Sequence, residues 1–222
     1  QNIRITVYEF DKQKSECFEF TQAKDCLKFI SSASNVWINV DGLKKEEVEL
    51  ICNHFNIHML VTEDILSIGQ RPKMDEINNT VFCLLYMLYF NSDQSSVETE
   101  QISIVLGKNW VISFQEDPKR DVFNALRDKL RLNSSKVRQN GADFLFYSLI
   151  DLIVDNFYVV MEKLGEKIEL LEEDVLRHPD SRSLVRISML RKEMIVLKRN
   201  IAPVREIVGG ILRGDSELIE ER

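Results

Sequence analysis

Two apolar seams, one on each arm of a long hairpin from Asp143 to Arg213, most constrain what this chain can fold into. In the first arm the seam is Ile150, Val154, Phe157, Met161, Leu164, Ile168, Leu171 and Val175. In the second it is Ile187, Leu190, Met194, Leu197, Ile201, Val204, Val208 and Ile211. Both step by alternating threes and fours, the spacing of helices packed side by side. Between them, Arg177-His178-Pro179-Asp180-Ser181-Arg182 holds a helix stop followed by N-cap candidates. The spacing predicts two antiparallel helices, each roughly 45–50 Å long at ~1.5 Å per residue. A chain of this size packs to a radius of gyration of only about 17 Å. The hairpin is therefore expected to project beyond the body, or one arm to run beneath it. Pro203 lies inside the second seam and predicts a kink.

The net charge of −7 argues against a general nucleic-acid surface, and it is unevenly placed. Asp143, Asp151, Asp155, Glu162, Glu166, Glu169, Glu172, Glu173 and Asp174 stand against Lys163 and Lys167 alone, so one helix carries the whole excess. Arg182, Arg186, Arg191, Lys192, Lys198, Arg199, Arg205 and Arg213 give the second arm the opposite sign, against Glu193 and Glu206. Pairs near the turn, such as Glu172 or Asp174 with Arg182 or Arg186, are worth ~0.2–1 kcal/mol when exposed. They set the register of the arms rather than hold them together.

Cys17, Cys26, Cys52 and Cys83 lack any C-x-x-C pairing and read as reduced thiols of a cytosolic compartment. No signal peptide is visible. Phe144 to Leu164 is long enough to span a bilayer, but it places Asp151 and Asp155 near the middle. Each would cost ~2.5–3.5 kcal/mol there, so no membrane span is expected.

Ahead of the hairpin, Arg4 to Phe10 and Glu16 to Phe20 read as paired strands, and Val36 to Val40 as a third. Thr21 to Ser31 is expected to form a short helix with Thr21 as N-cap. Lys44 to Phe55 and His58 to Leu66 follow as helices. Thr80 to Asn91, Glu98 to Leu106 and Trp110 to Gln115 are extended, and Gly107-Lys-Asn109 turns the last two into an antiparallel pair. Asp121 to Leu132 reads as a helix and Asn133-Ser-Ser135 as a break. Strands and helices alternate unevenly, so the expected class is α/β: a mixed β-sheet sandwiched by helices, then the antiparallel helical hairpin. The expected division is 1–136 for the α/β/α body and 137–222 for the hairpin.

Two patterns suggest metal chemistry. His54 and His58 are four apart with Asp64 downstream, but Asn56 and Ile57 interrupt the helix and no Glu follows His54. The acidic row Asp151, Asp155, Glu162, Glu166, Glu169 and Glu173 lies on one helix face. It is either a solvated face or a supply of hard oxygen ligands for Mg²⁺ or Ca²⁺. A divalent cation would relieve its i,i+4 repulsion. There is no P-loop, dinucleotide glycine fingerprint, G-x-S-x-G or nucleophile–base arrangement, so an enzyme is not expected.

Ile57-His-Met-Leu-Val-Thr-Glu-Asp-Ile-Leu-Ser-Ile-Gly-Gln-Arg-Pro-Lys73 resembles the cytosolic domain of the CorA family of magnesium and cobalt channels. Val36 to Val40, Thr99 to Ser103, Tyr147 to Asp151, Leu170 to Leu176 and Ile201 to Glu206 are similar to that family in the same order. The resemblance implies an α/β/α domain followed by two "willow" helices. It also implies a homopentamer on the cytoplasmic side of the bacterial inner membrane, with Mg²⁺, or Co²⁺ as a second ion, bound between cytosolic domains to hold the pore closed. The family's stalk helix, its two membrane helices and its Gly-Met-Asn pore motif are not in this chain, and Arg222 falls about where the stalk begins. The family's strand-end acid corresponds to Asn91, a departure, with Asp93 two residues on. Its second site, a carboxylate on the first willow helix, corresponds to Glu169, with Glu173 one turn further.

Three other readings stay open on sequence alone: the zinc-transporting branch of the same superfamily, a soluble metal-dependent hydrolase using His54, His58 and Asp64, and a coiled-coil adaptor with no metal role.

Overall fold

Alternating and continuous apolar runs build seven strands: β1 Arg4–Phe10, β2 Ser15–Phe20, β3 Asn35–Asp41, β4 Lys73–Ile77, β5 Thr80–Asn91, β6 Ser96–Leu106 and β7 Trp110–Gln115. The structure, a computed structural model, describes residues 3–117, 120, 122–177, 181–214 and 216–220. The strands form one sheet in the order β2-β1-β3-β7-β6-β5-β4. β3 and β7 are parallel, and every other neighbouring pair is antiparallel. β5 is buried from Thr80 to Leu88, as a strand covered on both faces should be.

Helices α1 Lys45–His54 and α2 Met59–Leu66 cover one face, where Phe55 meets Trp110 edge-on at 5.0 Å. Helices α3 Asn124–Arg131, α4 Lys136–Gln139 and the long α5 Ala142–Arg177 lie on the other. On that face Trp37 stacks with Tyr8 and meets Phe123. A buried polar chain crosses the parallel pair there: Trp37 Nε1 donates to Ser113 Oγ, which donates to Asn39 Oδ1. Asn39 Nδ2 and Gln115 Nε2 both donate to Asp41 Oδ1, at 2.9 and 2.7 Å. Satisfied in this way, the polar side chains fix the pairing of β3 with β7, their hydrogen bonds offsetting the cost of burying them.

Where Thr21 to Ser31 was expected to be one α-helix, there are two 3₁₀ turns, Ala23–Asp25 and Leu27–Ser31. The buried residues Ala23, Cys26 and Phe29 step by threes, the 3₁₀ period. Thr21 caps nothing; Glu47 from α1 accepts the Ala23 N–H at 2.7 Å instead. β4 is an additional strand, polar enough to read as a loop. Asn78 and Asn79, at φ 54° and 56°, turn it directly into β5. Gly107 is required at its turn, because a Cβ there would sit 2.3 Å from the Trp110 indole. Asp121 lies outside the described residues, and the helix expected from it runs over Asn124–Arg131.

The hairpin arms are α5, then α6 Ser181–Ile201 and α7 Val204–Leu212. Pro203 does more than kink the second arm: it heads a separate helix, α7, that packs on β4 through Gly210 and Met74. The turn at His178 to Asp180 lies outside the described residues. α5 is long and apolar enough to cross a membrane by length and composition. Here its apolar face lies against the sheet: Leu145, Phe146, Leu149, Ile150, Ile153, Phe157 and Val160 belong to the same core as the strands.

The expected seams are half right. In α5, Ile150, Phe157, Leu164 and Leu171 are buried, whereas Met161 and Ile168 are exposed. In α6, Ile187 and Met194 are exposed, and the buried positions are polar, Ser183 and Asn200. The reason is that α6 lies along β6 as well as α5, which rotates its inner row. Phe157→Ala is therefore expected to lose about 3–5 kcal/mol, and Met161→Ala no more than about 1 kcal/mol. Urea denaturation of the two variants checks this, and equal losses would reject the packing.

Candidate functional site

The chemistry concentrates where β5 and β6 end. Asn91 closes β5, and its Oδ1 accepts the N–H groups of Asp93 and Gln94 at 3.1 and 3.2 Å. This is an Asx turn, the local bonding that makes Asn a turn residue. Asn91 Nδ2 donates to Glu98 Oε1 at 2.6 Å. The neutral oxygen that the resemblance offered to a metal thus already serves two backbone donors.

Glu98 also pairs with Arg120, whose guanidinium lies over the Tyr89 ring at 5.2 Å. The Asn91 amide and then the Arg120 guanidinium hold the Glu98 carboxyl below the usual carboxylate range. Glu100, on the same strand, is buried. Its Oε2 accepts from the Tyr89 hydroxyl, and its Oε1 from the backbone N–H groups of Glu116 and Asp117. Burial pushes the Glu100 carboxyl up, and these donors only partly offset it. Glu98, Glu100, Tyr89 and Arg120 were not singled out from the sequence. Their signal is register: Glu98 faces Tyr89 across the ladder and so sits diagonal to Asn91.

The predicted acids stand apart. Asp93 is exposed at the turn, and among the described residues its carboxylate has no hydrogen bond or ion pair. Glu169 is exposed on α5 with no partner among the described residues, and Glu173 pairs with Arg177 one turn on, at 3.5 Å. The tip of the β5–β6 turn, Gln94 and Ser95, overlies α5 at Lys167, Leu170 and Leu171, across a groove of about 330 Å³. Among the described residues no three of His, Cys, Asp and Glu converge on a point that could hold a metal. The expected pairing near the turn is present as Arg186 with Asp174.

The hydrolase reading finds no such constellation. His58 is the N-cap of α2, its Nδ1 accepting the Leu60 N–H at 3.2 Å. His54 packs edge-on to Phe55, and Asp64 pairs with Lys73 at 2.6 Å. Cys26, Cys52 and Cys83 are buried, and burial pushes the Cys26 thiol up to about 12 and the Cys52 thiol up to about 11. These thiols are not nucleophiles at neutral pH.

Residues 32–222 match the family described as CorA-like Mg²⁺ transporter protein. The chain belongs to that family. It is 36% identical over 222 residues, 100% of its length, to the cobalt/magnesium transport protein CorA of Thermotoga maritima, and spans 63% of that relative. The soluble domain of CorA from Methanocaldococcus jannaschii has the same fold, with a TM-score of 0.72 at 17% identity, covering 98% of this chain and 82% of that one. The zinc transport protein ZntB of Yersinia pseudotuberculosis is 23% identical over 177 residues, 80% of this chain and 53% of ZntB.

The carboxylates of this CorA-family strand end are expected to titrate on opposite sides of an ordinary glutamate, near 4.3. Glu98, with a depressed folded pKa, contributes stability that is present above its unfolded value and lost as pH falls through the folded one. NMR titration should place Glu98 below and Glu100 above that value, with Arg120→Gln moving Glu98 back toward it. Both groups titrating as ordinary glutamates would contradict the geometry.

Proposed function

We propose that this chain is the cytosolic regulatory part of a divalent-cation transporter, with Mg²⁺ as its main ion and Co²⁺ as a second. It is not an enzyme. Identical copies surround a common axis as a homopentamer on the cytoplasmic side of the bacterial inner membrane, and the bilayer is crossed by segments outside this chain. The body, residues 1–136, senses the ion, and the hairpin, residues 137–222, relays the result. The observation that carries this reading is the 36% identity to the Thermotoga cobalt/magnesium transport protein along the whole chain.

The ion is sensed by carboxylates at the boundaries between copies. Asp93 and Glu169 are the leading candidates, because both are exposed and neither has a partner among the described residues. Glu173 is third, and Asn91 acts by fixing the turn that presents Asp93. Mg²⁺ suits such a place: it keeps most of its waters and takes only one or two carboxylates. That no ligand set converges among the described residues of one copy fits ligands shared between copies. A zinc-transporting role is the second reading, favoured by the similarity to ZntB.

A ligand that binds only the folded state raises the melting temperature by mass action. Millimolar Mg²⁺ is expected to raise it, or to promote association in sedimentation, and Asp93→Asn with Glu169→Gln to remove the effect. No response to millimolar Mg²⁺ would count against the proposal, and a response to Zn²⁺ alone would move it to the second reading.

A further inference from the structure

Helix α6 carries one acid among six bases: Glu193 beside Arg182, Arg186, Arg191, Lys192, Lys198 and Arg199. Its Oε2 accepts the Val97 N–H at 2.6 Å. Over Ser96 to Ile102, β6 has a strand neighbour on one side only, since β7 joins it from Ser103 onward. The Val97 amide is thus an open-edge donor, and a carboxylate from the second arm takes the place of a missing strand. The first arm makes a matching contact, with Asn156 Nδ2 donating to the Leu88 carbonyl. Leu88 and Val97 bracket residues 89–96, the hairpin end that bears Asn91 and Asp93. Beneath the tip of that turn lies the groove lined by Gln94, Ser95, Leu171 and Met189.

We propose that Asn156 and Glu193 form a two-point coupling between the β5–β6 turn and the helical hairpin. Each arm is fastened to one strand of the β5–β6 pair just before the turn, and the tip has open space below it. A displacement of residues 91–96 therefore passes into both arms through these two side chains. α5 and α6 are continuous helices of 36 and 21 residues, so a movement at Asn156 or Glu193 is carried along them to the tip of the arm. The coupling rests on the cation-sensing reading for its purpose, but not for its existence.

Amide hydrogen exchange on the 222-residue chain tests it. The Val97 amide should be protected despite its edge position. Glu193→Ala should speed its exchange about tenfold or more, and Glu193→Gln, which keeps an acceptor oxygen, should retain most of the protection. Asn91→Ala should change exchange along α6 when Glu193 is present and not when it is Ala. An unchanged Val97 amide in Glu193→Ala, or the same effect of Asn91→Ala with and without Glu193, would overturn the coupling. A missing Mg²⁺ response with both exchange results as expected would instead fall on the sensing proposal.

Discussion

The structure depends on α5 being longer than the sheet it covers. Its 36 residues make about 54 Å of helix at ~1.5 Å per residue. The first half buries Leu145, Leu149, Ile153 and Phe157 in the core. The second half outruns the strands, and beyond Val160 only Leu164 and Leu171 are buried on it. One helix is therefore both a layer of the body and the root of the arm. No hinge separates the two, so the arm takes its direction from core packing. Exposed Leu170, Leu176, Leu184, Val185, Met189 and Ile195 leave a broad apolar surface on its outer part, the kind that marks an interaction site.

At the strand end, the amide of Asn91 organises the chemistry. An amide at position 91 can do what a carboxylate cannot: donate to Glu98 while accepting from the turn. Glu98 in turn holds Arg120, and Arg120 ties the segment after β7 to the pair β5–β6. An internal cation thus neutralises a carboxylate beside the turn, while Asp93 stays exposed there.

Much of this was legible in the residues. The run Val81 to Phe90, the Gly107 turn and the helical periodicity of Lys44 to Phe55 reflect local physics, and the strands and helices formed there. β4 was missed because an edge strand of Lys73-Met-Asp-Glu-Ile77 carries no apolar alternation. The rotation of α6 was missed because heptad spacing shows that a helix has an apolar stripe, not that a sheet edge competes for its inner face. Glu193 and Asn200 turn inward because a backbone group or the helix itself satisfies them, which no hydropathy pattern reveals. Asp93 and Glu169 are visible in the sequence as acids, and the structure places them exposed, one at the β5–β6 turn and one on α5. The roles of Glu98, Glu100 and Arg120 needed the strand register and a loop arriving from beyond β7.

The parallel pairing of β3 with β7 also has a kinetic meaning. Asn39 meets Ser113 at a sequence separation of 74. Contacts of such separation form late, because the loop entropy must be lost before the contact is gained. The α5–α6 hairpin, joined through neighbouring residues, can assemble locally and early. Its inner face then waits, unshielded, for the central strands to close, and in that interval the chain is most exposed to self-association.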